Sequence, residues 1–194
     1  MNSVAVASAR HAVATLILAT AHAGRSIAIN IEQDLNRIEA QEAALQFDSF
    51  DLSTAWEVGA RLRGMALERN LGVAIDVHLH AMPVFYAALP GSTPDNAQWI
   101  RRKRNLVFRL FRSSYATGLD MISQETTIQT RLGLSDVDFA PFGGSFPILV
   151  KGSGCIGAIT VSGLPQRDDH NLVVEALAAM LSADHEALRL DDDD

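Results

Sequence analysis

Apolar residues recur at helical spacing from Ile31 through Leu35, Ile38 and Leu45, with Glu32, Asp34, Glu39 and Glu42 on the other faces, which predicts a surface helix. A second helix is predicted from Thr54-Ala55-Trp56-Glu57, a capping-box pattern. Trp56, Ala60, Leu62, Met65 and Ala66 form its buried stripe, and it stops near Gly72. Residues 73–79 then alternate. Val73, Ile75, Val77 and Leu79 point one way, while Ala74, Asp76 and His78, continued by His80, point the other, the mark of a half-buried strand. His80-Ala81-Met82-Pro83 breaks the strand and residues 84–89 return, so the pair reads as a hairpin.

After the loop Pro90-Gly91-Ser92-Thr93-Pro94, Asp95 or Asn96 caps a helix expected over 97–112. A strand is expected around 119–122 and a short helix over 127–132. Residues 146–151 and 156–162 flank Gly152-Ser153-Gly154 and predict a second hairpin. The last helix is expected to start at Asp168 or Asp169, with Val173, Val174, Leu177 and Leu181 as its stripe. Hairpins impose antiparallel pairing and the helices cover the faces, so the expected fold is α+β, with an antiparallel sheet of about five strands flanked by helices.

Composition supports one domain: the 194 residues are 48% hydrophobic and 20% charged. The expected organisation is an N-terminal extension or signal segment over 1–30, a single domain over 31–190 and an acidic tail over 191–194. Arg10 precedes the apolar run 12–21, and Ala21-His22-Ala23 before Gly24 has the small-x-small form of a signal-peptidase site. Thr15 and Thr20 interrupt that run, so a cytoplasmic protein is the expectation and export after cleavage the alternative. The run is too short to span a bilayer, and no membrane span is expected elsewhere. The net charge is −7, with Asp191 to Asp194 supplying four of the negatives, which argues against a generally basic nucleic-acid binder. A lone Cys155 excludes an internal disulfide framework, a Cys-rich zinc site and a CxxC redox pair.

Against this acidic background, residues 99–112 carry six basic side chains and no acid. On a helix Arg102 and Arg109 share a face about 10.5 Å apart along the axis, a spacing that suits the carboxylates or phosphates of one ligand. The alternative is a solvated face, or ion pairs with acids elsewhere in the fold or on another subunit. Nucleic acid is not expected there, because Trp99, Phe108 and Phe111 read as core residues. Ser113-Ser114-Tyr115 places three hydroxyls beside the basic end, either to orient a polar ligand or to satisfy the last helical carbonyls. Gly143-Gly144 permits a sharp bend or close approach to a ligand. No GxGxxG, GxxxxGK[ST] or GxSxG pattern is present. Asp76, His78 and His80 on one strand face are a weak ligand set, and no metal site is assigned. His170, after Asp168-Asp169, reads as a ligand or base, or as a capping or surface histidine.

Gly72-Val73-Ala74-Ile75-Asp76-Val77, the stretch 88–103, Arg109 with Ser113-Ser114-Tyr115, Gly143-Gly144-Ser145-Phe146-Pro147-Ile148, and Thr160-Val161-Ser162-Gly163-Leu164-Pro165 with Asp168-Asp169-His170 together resemble the GlcG-like, haem-degrading-domain proteins. The resemblance runs from about Ile31 to Leu188. It implies a profilin-like α/β/α domain and a homo-oligomer. The family's His-Gly-Gly motif stands here as Phe142-Gly143-Gly144, so any role of that histidine is missing from this chain. The expectation is an oligomeric protein binding haem or another small anionic planar ligand through Arg102, Arg109, Ser113, Ser114, Gly143, Gly144 and His170. Iron, where bound, falls to His170, His78 or Tyr115. The alternative is a non-enzymatic homo-oligomeric interaction protein without haem chemistry.

Overall fold

In the computed structural model, which describes residues 30–191, helix α1 (Ile31–Ala44) leads through the two-residue strand β1 (Gln46–Phe47) into α2 (Leu52–Glu68). The hairpin β2 (Ala74–Leu79) and β3 (Met82–Ala88) follows. Then come α3 (Pro94–Leu110), α4 (Ser114–Ser123) and the short α5 (Ile128–Leu132). A second hairpin, β4 (Ser145–Val150) and β5 (Gly154–Ser162), leads to α6 (Gln166–Leu181) and α7 (His185–Leu188). The segment with the signal-like pattern and the last tail residues, 192–194, lie outside the described residues.

The five strands form one sheet in the order β1-β4-β5-β2-β3. Every pairing is antiparallel except β1 with β4, so the sheet is mixed rather than wholly antiparallel. Period-2 alternation explains its two faces. Ile75 and Val77 line up with Phe85, Ile159 and Val161, and with Phe146 and Ile148 build a core beneath α2 and α6. The opposite face carries Asp76, His78, Ser145, Ala158 and Thr160, and α3 packs there across β5, β4 and β2.

Several expectations are corrected. Residues 119–122 are helical, not a strand. Ser113 caps α4, its Oγ accepting from the Ala116 N–H at 3.1 Å, and residues 114–119 with Met121 are all buried. A helix buried all round shows no amphipathic period, which is why it read as a strand. The fifth strand is β1 instead. Helix α2 starts at Leu52 under the Asp51 side chain, which accepts from the Thr54 N–H at 2.8 Å, so the Thr54–Glu57 box is not its cap. Its buried residues are Ala55, Val58, Gly59, Leu62 and Ala66; Trp56 and Ala60 are exposed. Helix α3 begins earlier than expected, at Pro94, where the Thr93 N–H donates to Asn96 Oδ1 at 2.6 Å. Helix α6 also begins early, directly after Pro165. Phe111 is not a core residue. It ends α3 in a left-handed conformation (φ +57°) and is exposed. His80 sits in the β2–β3 turn at φ +47°, off the strand face that carries His78.

Candidate functional site

Most of the basic residues on and just beyond helix α3 meet counter-charges within this fold. The Arg101 guanidinium donates to Asp138 Oδ1 at 2.9 Å, Arg104 to Asp76 Oδ2 at 2.8 Å and Arg112 to Asp120 Oδ2 at 2.6 Å. Lys103 is buried, and its ammonium donates to Asp169 Oδ2 at 2.9 Å and to the Val161 carbonyl at 3.1 Å. Four of the six basic residues are therefore balanced by carboxylates that folding brings in from β2, the first turn of α6, α4 and the loop before β4. Arg102 and Arg109 are the two left without a carboxylate among the described residues. Arg102 Nε donates to the Asp136 carbonyl at 2.8 Å, and its guanidinium lies 4.6 Å above the Trp99 ring. Trp99 in turn meets Phe142 edge-on at 5.4 Å. Arg109, two turns on, is exposed.

The remaining expected ligand residues are packed inside. Ser113 is consumed by its cap, and its N–H donates to Glu42 Oε1 at 2.6 Å. Its hydroxyl does not serve the last carbonyls of α3. Ser114 Oγ donates to the Phe142 carbonyl at 2.6 Å and accepts from the Ser145 N–H at 3.1 Å, pinning the glycine loop to α4. A Cβ at Gly143 would lie 2.0 Å from the Gln166 carbonyl, and one at Gly144 (φ +117°) 2.4 Å from the Val161 carbonyl and 2.8 Å from Lys103 Nζ. Both glycines serve close approach of the chain to itself.

His170 is fully buried. Its Nε2 lies 2.7 Å from Gln41 Oε1, and Gln41 Nε2 donates to the Leu188 carbonyl, so the amide oxygen faces the ring and Nε2 carries the proton. Nδ1 has no hydrogen-bond partner among the described residues. Burial, reinforced by Arg167, pushes its pKa down to about 3, so the ring is neutral. Tyr115 and Phe146 pack against it with ring centroids at 5.3 and 5.9 Å. His170 is thus neither a cap nor a surface residue.

Sequence reasoning passed over the buried ion pairs Lys103–Asp169, Arg104–Asp76 and Arg167–Asp34. Burial lowers the Lys103 ammonium and raises the Asp169 carboxyl, and their mutual attraction opposes both shifts. One signal was available: Lys103 lies in phase with Ile100 and Val107 on the inner stripe of α3. On β2, Asp76 is nearly buried between Arg104 and His78, whose Nδ1 is 3.6 Å from Asp76 Oδ1. Burial, then Arg104, lowers the His78 pKa, with Asp76 opposing. Among the described residues no group of three or more His, Cys, Asp or Glu side chains is placed to hold a metal ion, and no helix is long and apolar enough to cross a membrane.

Comparison with known proteins places this architecture. The family model "Haem degrading protein HbpS-like" matches residues 50–178. "UPF0303 protein R02983" of Rhizobium meliloti (strain 1021) is 66% identical over 163 residues, 84% of this chain and 99% of that protein. A UPF0303 protein of Azotobacter vinelandii is 51% identical over 84% of this chain and 98% of its own length. Among solved structures, Ybr137w superposes with a TM-score of 0.71 at 27% identity, covering 76% of this chain and 87% of that one. HbpS superposes at 0.54 and 17% identity over 82% and 99% of the two chains, and a PduOC:Heme complex at 0.57 and 14% over 68% and 94%. By the extent of the family match and the identity to the UPF0303 proteins, this chain belongs to the HbpS-like haem degrading protein family.

Proposed function

We propose that this protein is an oligomeric small-ligand-binding member of its family that takes an anionic planar molecule on the outer face of α3. One observation carries the reading. Of the six basic residues on and just beyond that helix, Arg102 and Arg109 alone have no carboxylate partner among the described residues, and they share a face about 10.5 Å apart along the axis. Two carboxylates of one flat ligand match that spacing, and Trp99 beside Arg102 offers an aromatic surface to the ligand's body. Haem is the first ligand to try, because the family carries haem degradation in its description and a protein of the same fold is solved as a heme complex. His170 enters such a site as an iron ligand only if its packing opens, since Gln41, Tyr115 and Phe146 enclose the ring.

The test is a titration of the purified protein with haem, followed by absorbance, with Arg102→Ala and Arg109→Ala beside wild type. Each variant is expected to weaken binding about tenfold or more, the loss of one charge-assisted contact, while leaving the molecular mass in solution unchanged. His170→Ala is expected to shift the Soret band only if the ring reaches iron. Equal, non-saturating uptake by wild type and variants overturns the ligand reading. It leaves the non-enzymatic homo-oligomeric interaction protein without haem chemistry.

A further inference from the structure

The two edges of the sheet are finished differently. Strand β1 is two residues long and runs into the exposed Asp48, and shortness and charge both discourage pairing with another chain. Strand β3 is seven residues long, and residues 81–89 contain no charged side chain. Only Pro83, near its start, lacks an N–H to offer. Among the described residues its outer backbone groups therefore form an unguarded edge.

Helix α2 overhangs that edge. Gly59 lies against the Phe85 ring, where a Cβ would come within 2.3 Å, so the next strip around the helix, Leu52, Trp56, Ala60, Arg63 and Leu67, projects beyond β3. Leu52 is 58% exposed, Trp56 63% and Leu67 43%; Met82 and Tyr86 on the strand are 49% and 51% exposed. Five of the nine large hydrophobic side chains exposed among the described residues thus belong to α2 and β3.

We propose that β3 pairs antiparallel with β3 of a second copy about a two-fold axis normal to the sheet, joining two five-stranded sheets, with the α2 helices side by side above the seam. The proposal rests on the oligomeric part of the reading above and assigns it a surface. Three relationships select a second copy as the occupant. A bare strand edge is complemented by another strand edge, and a two-fold supplies one of equal length. An axis through the middle of β3 passes beside Ala60, because Gly59 sits on Phe85. Antiparallel α2 helices centred on Ala60 then set Arg63 of each copy opposite Glu57 of the other, and both residues are exposed without an ion partner among the described residues. Finally, Trp56 and Tyr86, 63% and 51% exposed, stand with Leu52, Leu67 and Met82 along this seam as the aromatic and apolar centre that a stable dimer interface is built around.

Sedimentation velocity on the full chain tests this, with circular dichroism confirming the fold of each variant. Wild type is expected to be a dimer or a multiple of one. Glu57→Arg and Arg63→Glu, each setting like charges across the seam, are expected to raise the dissociation constant about tenfold or more, and the double variant to restore it. Trp56→Asp should weaken association without a rescue partner. A wild-type oligomer unmoved by all four variants overturns the proposed surface while leaving the oligomeric reading standing. A monomeric wild type overturns both. Association unmoved by the charge variants but lost on removal of residues 2–29 assigns the edge to that segment and likewise overturns the proposal.

Discussion

The Lys103 ammonium meets the Asp169 carboxylate at 2.9 Å with both side chains almost wholly removed from solvent, tying the middle of α3 to the first turn of α6 across the end of the sheet. Val161 and Leu164 complete the arrangement: the Val161 carbonyl accepts from Lys103 and the Leu164 N–H donates to Asp169 Oδ1 at 3.0 Å. Removing one partner strands the other's charge in a low-dielectric site. Lys103→Met and Asp169→Asn are each expected to cost about 3–5 kcal/mol, whereas Lys103→Met with Asp169→Leu should recover most of it. Urea unfolding decides. A double variant less stable than both singles would refute the pairwise account.

Gly144 is the backbone counterpart of that pair. At φ +117° an L side chain is strained by about 1–3 kcal/mol before any contact is made. Gly144→Ala adds an overlap with the Val161 carbonyl and Lys103 Nζ. The expected result is a loss larger than that of Gly152→Ala, where φ is +77° but the space is open. Equal thermal shifts for the two would show that strain alone matters.

Acid stability should bear the mark of His170. In the unfolded chain the ring takes up a proton at its ordinary pKa of 6.5, but in the fold only at about 3. Between these values the unfolded state binds one more proton, so stability rises with pH across the window and is lost as pH falls, by about 1.4 kcal/mol per pH unit. Denaturant melts at pH 7, 6, 5 and 4 should give a steeper decline for wild type than for His170→Leu. Identical slopes would mean that the ring is not held neutral.

His78 offers a test with two opposite signs. Arg104 pushes its pKa down and Asp76 pulls it up. Arg104→Gln is expected to raise the imidazole pKa, and Asp76→Asn to lower it further, as read from the His78 ring resonances in an NMR titration. Shifts of the same sign in both variants would contradict the Asp76-centred geometry.

Elements with a clear period were legible in the sequence. The alternation of residues 73–79 placed β2, and the glycine-centred turn at 152–154 placed the β4–β5 hairpin. Helix α4 was not legible, because its buried residues surround the axis and leave no polar face to set a phase. Trp56 was misplaced because an aromatic ring was assigned to the core, when Gly59 provides the contact with Phe85 and Trp56 covers that ring from outside. At the candidate site, the run of basic residues was visible, but which of them are neutralised depends on carboxylates 8 to 66 positions away in sequence. What distinguishes Arg102 and Arg109 from the other four, the absence of such a carboxylate partner among the described residues, was not contained in the sequence pattern.

The strand order also sets a timetable for synthesis. Strand β2 emerges early with β3 on one side, but its other neighbour, β5, is made roughly 75 residues later, which at ribosomal speed is a delay of about 4–15 s. Until then the nascent chain exposes both long edges of the first hairpin, and β4 has neither of its partners but β1. The sheet closes only when its central strand arrives, so the window in which this protein is most open to capture by chaperones or to misassociation falls before residue 162 has left the ribosome.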